Sequence, residues 1–184
     1  MPGPPPLLRP GVLAGQRIVC AGVTDAEQPA AALRALGADF RSWAVDPGGD
    51  EPPPPDGAVD TLVWDGAAAF AAGGLTAALD GAWLAVRPVA NAAWIPQARG
   101  GRLILLAPAP GDPGAAGARA GLVNIARTLS IEWARFNVRT TAILPGPETA
   151  PEQSAQLVAY IASPAGEYFS GCAFTLGGAH PAPG

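Results

Sequence analysis

Side chains able to move a proton or attack a carbon are scarce in this chain of 184 residues. It contains no lysine, and all 11 basic residues are arginine. Its tyrosines, Tyr160 and Tyr168, both fall late, and no serine stands between Ser42 and Ser130. The single histidine, His180, sits in the closing AHPAPG. A solvated side chain is the expectation there, with a tail reaching into a neighbouring subunit as the alternative. Cys20 and Cys172 are far apart and read as two buried thiols in a reduced cytoplasm. Carboxylates remain. Asp65 and Asp80 are candidate proton donors by elimination only, and Asp46, just before Pro47, reads as the first residue of a loop. Thr24 and Glu27 have capping-box spacing, and with Asp25 they place negative charge at a helix start.

The elements that would position these residues alternate strand and helix. Arg17 to Ala21, Phe40 to Val45, Val59 to Trp64, Arg102 to Leu106, Val138 to Leu144 and Ala173 to Leu176 are short apolar runs that predict strands. Between them, helices are predicted over Ala26 to Leu36 (stopped by Gly37), Leu75 to Trp94 (kinked at Pro88), Ala116 to Phe136 and Gln153 to Ala162. Pro47 to Gly57, with four consecutive prolines, can only be loop. The alternation predicts an α/β fold: a doubly wound parallel sheet of about six strands with helices on both faces. Residues 1–12 read as a flexible proline-rich tail, 13–178 as one domain and 179–184 as a closing tail.

A composition of 49% hydrophobic and 14% charged residues is apolar enough to suggest surface covered by a partner. A net charge of -4 without a basic run argues against nucleic-acid binding. No continuous run of 18 or more apolar residues points to a membrane span.

Ala118 to Gly146 (ARAGLVNIARTLSIEWARFNVRTTAILPG) and Leu157 to Gly178 (LVAYIASPAGEYFSGCAFTLGG) resemble the catalytic helix with its following strand, and the closing segment, of the short-chain dehydrogenases/reductases. Leu13 to Gly22, Val59 to Ala67 and Gly81 to Pro108 follow the family pattern more weakly. The resemblance implies a Rossmann-like fold, a nicotinamide cofactor and an oligomer. It also implies a catalytic tyrosine, a lysine four residues later that lowers the tyrosine's pKa, a serine and an asparagine. At the matching positions this chain has Ala115, Arg119, Pro108 and Ala78. The family's glycine-rich phosphate turn is also missing, because no glycine occurs between Gly22 and Gly37. Gly22 and Asp46, the latter where an acid would meet the adenosine ribose, are the weak remnants of a cofactor site. Thr149 lies where a threonine would contact the nicotinamide amide, and otherwise reads as a helix cap. A residual ribose or phosphate contact is one reading of Arg119, a helix-surface or interface arginine the other.

The best-kept segments are those that build subunit interfaces in the family. The resemblance therefore implies interface roles for Leu122, Ile125, Leu129, Trp133, Phe136, Tyr168 and Phe169, with core packing as the alternative. The resulting expectation is a non-catalytic cytoplasmic subunit that supports an active homologue, with NAD(P) held in that partner. A homo-oligomer ranks second. An atypical reductase active alone and a homodimeric small-ligand module are the other readings.

Overall fold

The computed structural model describes residues 8–22, 27–96 and 99–177, the side chains of residues 27–29 excepted. The strands are β1 (Arg17–Gly22), β2 (Asp39–Ala44), β3 (Thr61–Asp65), β4 (Gly101–Leu106), β5 (Val138–Leu144) and β6 (Cys172–Thr175). They form one sheet in the order β2-β1-β3-β4-β5-β6, with every neighbouring pair parallel. Parallel neighbours need long crossovers. Helices α1 (Glu27–Ala35), α2 (Gly66–Val89), α3 (Ala115–Glu132) and α4 (Pro151–Ala162) supply most of them.

Burial on both sides explains why the strands read as continuous apolar runs. Leu62, Trp64, Leu103, Leu105 and Ala142 pack with α2 and α3 on one face. Val63, Ile104 and Ile143 alternate with them and pack with α1 and α4 on the other. This is the doubly wound, Rossmann-like architecture that the alternating pattern predicts. The chain leaves β1 in one direction to form β2 and returns to the other side for β3, so the carboxyl ends of β1 and β3 flank a topological switch point. The return crosses without a helix. Residues 45–60 are irregular, anchored by buried Val45 and Val59 and by an ion pair of Glu51 with Arg87 on α2.

Several boundaries differ from expectation. The second helix begins at Gly66, before the predicted Leu75, because Asp65 caps it by accepting from the Ala68 N–H at 3.0 Å. Its break falls at Gly73–Gly74 rather than at Pro88, which stays helical. Gly74, at φ 70 and ψ -154, occupies a region open in practice only to glycine. A π turn, Ala90–Trp94, follows the helix. The third helix stops at Glu132, and a 3-10 turn carries the chain to Asn137, whose left-handed φ of 58 ends it. The amino-terminal boundary also moves. Leu8 and Val12 pack on the α1/α4 core, and buried Leu13 donates its N–H to the Leu36 carbonyl at 3.0 Å. Leu8 and Val12 thus pack ahead of the expected domain start at Leu13.

The helical stretch Gly66–Trp94 is long and apolar enough to cross a membrane by length and composition, with a mean hydropathy of 1.4. Its Ala78, Ala82, Ala85, Val86 and Val89 are fully buried against the rest of the domain. The capping spacing of Thr24 and Glu27, the charge of Asp25, and His180 lie outside the described residues or side chains.

Candidate functional site

In an open α/β sheet the natural binding cleft lies beyond the carboxyl ends of the strands, at the switch point. Gly22, Asp46, Asp65, Pro108 and Pro145 all follow or end strands at this edge, and α3 brings Ala115 and Arg119 alongside. The fold thus assembles the expected positions at one edge. The chemistry there is that of a structural tie.

Arg119 is the clearest case. Its Nη1 donates to the carbonyl of Pro108, just after β4, and to the carbonyl of Pro145, just after β5, each at 2.7 Å. One guanidinium therefore clamps the ends of two adjacent strands to α3. Partial burial pulls its pKa down, but an arginine keeps its charge in proteins. Ala115, one turn earlier, and Pro108 are buried and bring no side-chain polar atom.

Trp64, fully buried as the last inward residue of β3, occupies the space beneath α2. Its indole N–H donates to the Ala78 carbonyl at 3.0 Å. Gly81, one turn further along α2, makes room for the ring. A Cβ at that position would stand 2.5 Å from the Trp64 ring carbons. Where the family resemblance places an asparagine, the chain therefore has a buried alanine whose carbonyl satisfies a tryptophan. The alternation of Leu62 and Trp64 on one strand was the signal that could have placed this ring against α2, and sequence reasoning missed it.

The weak cofactor candidates are also accounted for locally. Gly22 accepts from the Val45 N–H at 3.1 Å through its carbonyl. Asp46 is exposed, closes its own turn by accepting from the Gly48 N–H at 3.0 Å, and borders a shallow groove of about 370 Å³ against Gly73 and Thr76. Thr149 accepts from the Gly146 N–H at 2.8 Å and donates to the Leu176 carbonyl at 3.3 Å, so it ties the loop after β5 to the end of β6. Asp65 has one oxygen engaged in capping α2, and Asp80 is exposed on that helix. Burial pushes the Cys20 thiol up, with the Asp65 carboxylate adding to the effect, so that thiol is inert.

Besides the groove beside Asp46, the described residues at this edge enclose a cavity of about 160 Å³ lined by Asp65, Leu106, Ala107, Pro145, Pro151 and Ser154. Small-molecule sites usually exceed about 300 Å³, a size the groove reaches and this cavity does not. A nicotinamide dinucleotide does not fit the residues present. The cation at this edge is bound to backbone, and the sequence after Gly22 offers no second glycine for a phosphate turn.

The expected interface residues divide. Leu122 and Leu129 are core side chains, buried against the sheet, and so cannot reach a partner. Ile125, Trp133 and Phe136 are half-buried at the margin of that core. Tyr168 is 92% exposed, and Phe169 is half-buried between Tyr160 and Phe174. Sequence reasoning missed three outward apolar residues: Leu75 and Trp83 on α2 and Ile131 on α3. Trp83 stacks on Trp133 with ring centroids 6.5 Å apart.

No protein-family model matches the sequence, and no curated protein matches it. Solved structures do. A short-chain dehydrogenase from Mycobacterium smegmatis superposes with a TM-score of 0.77 at 17% identity, covering 97% of this chain and 98% of that one. A citronellol catabolism dehydrogenase from Pseudomonas aeruginosa gives a TM-score of 0.70 at 22% identity, covering 92% and 96%. The fold is that of the short-chain dehydrogenases/reductases.

Proposed function

We propose that this chain is a degenerate short-chain dehydrogenase/reductase: a non-catalytic cytoplasmic subunit that assembles with an active NAD(P)-dependent homologue and supports it. One observation carries the reading. At the position where the family pattern has its lysine, Arg119 donates to the Pro108 and Pro145 carbonyls, and the residue four earlier is Ala115. Carbonyl reduction by hydride requires a proton donor of matched pKa beside the reacting oxygen. A methyl group and a backbone-bound guanidinium cannot act as that donor. The dinucleotide belongs to the partner in this reading, and an atypical reductase would have to rely on Asp65, which lines the small cavity while capping α2, or on Asp80, exposed on that helix.

The surface supports association. Leu75, Trp83 and Ile131 leave apolar area exposed on the outer face of α2 and α3, beside the Trp83–Trp133 stack. Large aromatic side chains of this kind anchor interfaces. A full-length homologue with intact Ser, Tyr and Lys is the partner class, and a second copy of this chain is the competing occupant.

Co-expression with such a homologue, followed by size-exclusion chromatography with light scattering, tests the proposal. A mixed complex is expected, with all turnover lost when the partner's tyrosine is removed. Trp83→Asp should dissociate it while leaving the circular dichroism of the isolated chain unchanged. Failure to associate with any such homologue would overturn the reading.

A further inference from the structure

The opposite end of the sheet holds a second, more polar cavity. It lies at the amino ends of the strands, measures about 160 Å³, and is lined by Gln16, Asp60, Arg99, Arg102, Asn137 and Arg139 among others. Arg102 and Arg139 are direct register partners on β4 and β5. Like charges placed opposite each other on adjacent strands repel, so their neutralisation has to be traced group by group.

Asp60 does not provide it. Its two oxygens accept from the Arg17 backbone N–H at 2.8 Å and from Arg99 Nη2 at 2.9 Å. Glu167 lines the cavity and acts favourably on Arg102 from a distance, but among the described residues neither Arg102 nor Arg139 has an ion-pair partner. Arg102 is held in place by its Nη1, which donates to the carbonyls of Ala162 and Ser163 at the carboxyl end of α4, where the helix dipole favours a cation. Its Nε proton is buried without an acceptor. The hydroxyl of Thr61, its register partner on β3, is also buried without a partner. Both atoms are closed off from solvent and Thr61 does not line the cavity, so the groups left to meet a ligand are the paired guanidiniums and the neighbouring amides.

We propose that this cavity is an oxyanion site, in which Arg102 and Arg139 share one phosphate-type group and the Asn137 and Gln16 side chains complete its hydrogen bonds. Paired guanidiniums suit this role because their planar donor forks match phosphate and carboxylate geometry. At ~30 Å³ per water molecule, the cavity has room for one such group and no nucleotide. The ligand is therefore free phosphate or the phosphate end of a small metabolite. The site is separate from the carboxyl-end cleft and independent of whether the chain has a partner.

Calorimetric titration of the full chain with inorganic phosphate in low-salt Tris chloride is the test. Saturable one-to-one binding, millimolar or tighter, is expected. Arg139→Gln should weaken it about tenfold, the worth of one charge-assisted hydrogen bond, while keeping a cooperative thermal transition. Glu167→Gln, at an exposed position, should tighten it about twofold. Glycerol phosphate binding more tightly than inorganic phosphate would assign the site to an ester, and equal binding to the free ion. Heat no greater than that from chloride at matched ionic strength, or undiminished binding by Arg139→Gln, would overturn the proposal.

Discussion

Arginine plays opposite parts at the two ends of the sheet. At the carboxyl end, Arg119 is a lone cation whose Nη1 donates to two strand-end carbonyls. At the amino end, Arg102 and Arg139 stand side by side across β4 and β5 with a buried Nε proton left over. The first arrangement ties the loops after β4 and β5 to α3. The second sets two cations beside one polar cavity, with no ion-pair partner for either among the described residues. Residue type alone separates the two poorly; the inventory of donors and acceptors separates them well.

That difference can be broken by substitution. The largest effect is expected at the carboxyl end from Trp64→Ala, which removes a fully buried indole and its bond to the Ala78 carbonyl. It should cost about 3–5 kcal/mol in urea unfolding. Arg119→Gln comes next. It frees the Pro108 and Pro145 carbonyls and should cost about 2 kcal/mol, since hydrogen bonds to charged groups are worth roughly 1.5–3 kcal/mol. At the other end the sign reverses. In phosphate-free buffer Arg139→Gln relieves a cross-strand repulsion and should stabilise the chain by roughly 0.2–1 kcal/mol, read from the same unfolding curves. If both arginine substitutions destabilise equally, the contrast between the ends is lost.

The smallest effect concerns Asp39, exposed at the sheet's outer strand. The Arg17 side-chain hydrogen bond, helped by Arg41, holds its carboxyl below the ordinary value of 3.8. A depressed folded pKa means a stabilising contribution that is complete above the unfolded value and declines as pH falls through the folded one. Titration by NMR should therefore place the Asp39 midpoint below 3.8, and Arg17→Gln should move it back up.

Much of the fold was legible because it rests on strong local signals. Val138–Leu144 stands where the apolar run before Pro145-Gly146 predicts it, and Pro52 to Pro55 exclude a helix from the β2–β3 crossover. The start of α2 was not legible, because Asp65 acts as a cap only once β3 delivers it to the sheet edge. Leu122 and Leu129 were ambiguous for a similar reason. An apolar helix stripe looks the same whether it faces a sheet or a partner, and here both residues face the sheet. The absence of lysine and of an early tyrosine could be read directly, whereas the carbonyls that hold Arg119 come from two distant loops. The Arg102–Arg139 pair depends on strand register, which single-sequence periodicity does not supply.

In the proposed reading this chain itself holds no nicotinamide cofactor at its carboxyl-end cleft. Titration of the isolated full chain with NADH and NADPH, followed by nicotinamide fluorescence, measures this most directly. The missing glycine-rich turn and the backbone-bound Arg119 predict no saturable signal into the millimolar range. Saturation at micromolar dinucleotide, or turnover by the isolated chain, would contradict it.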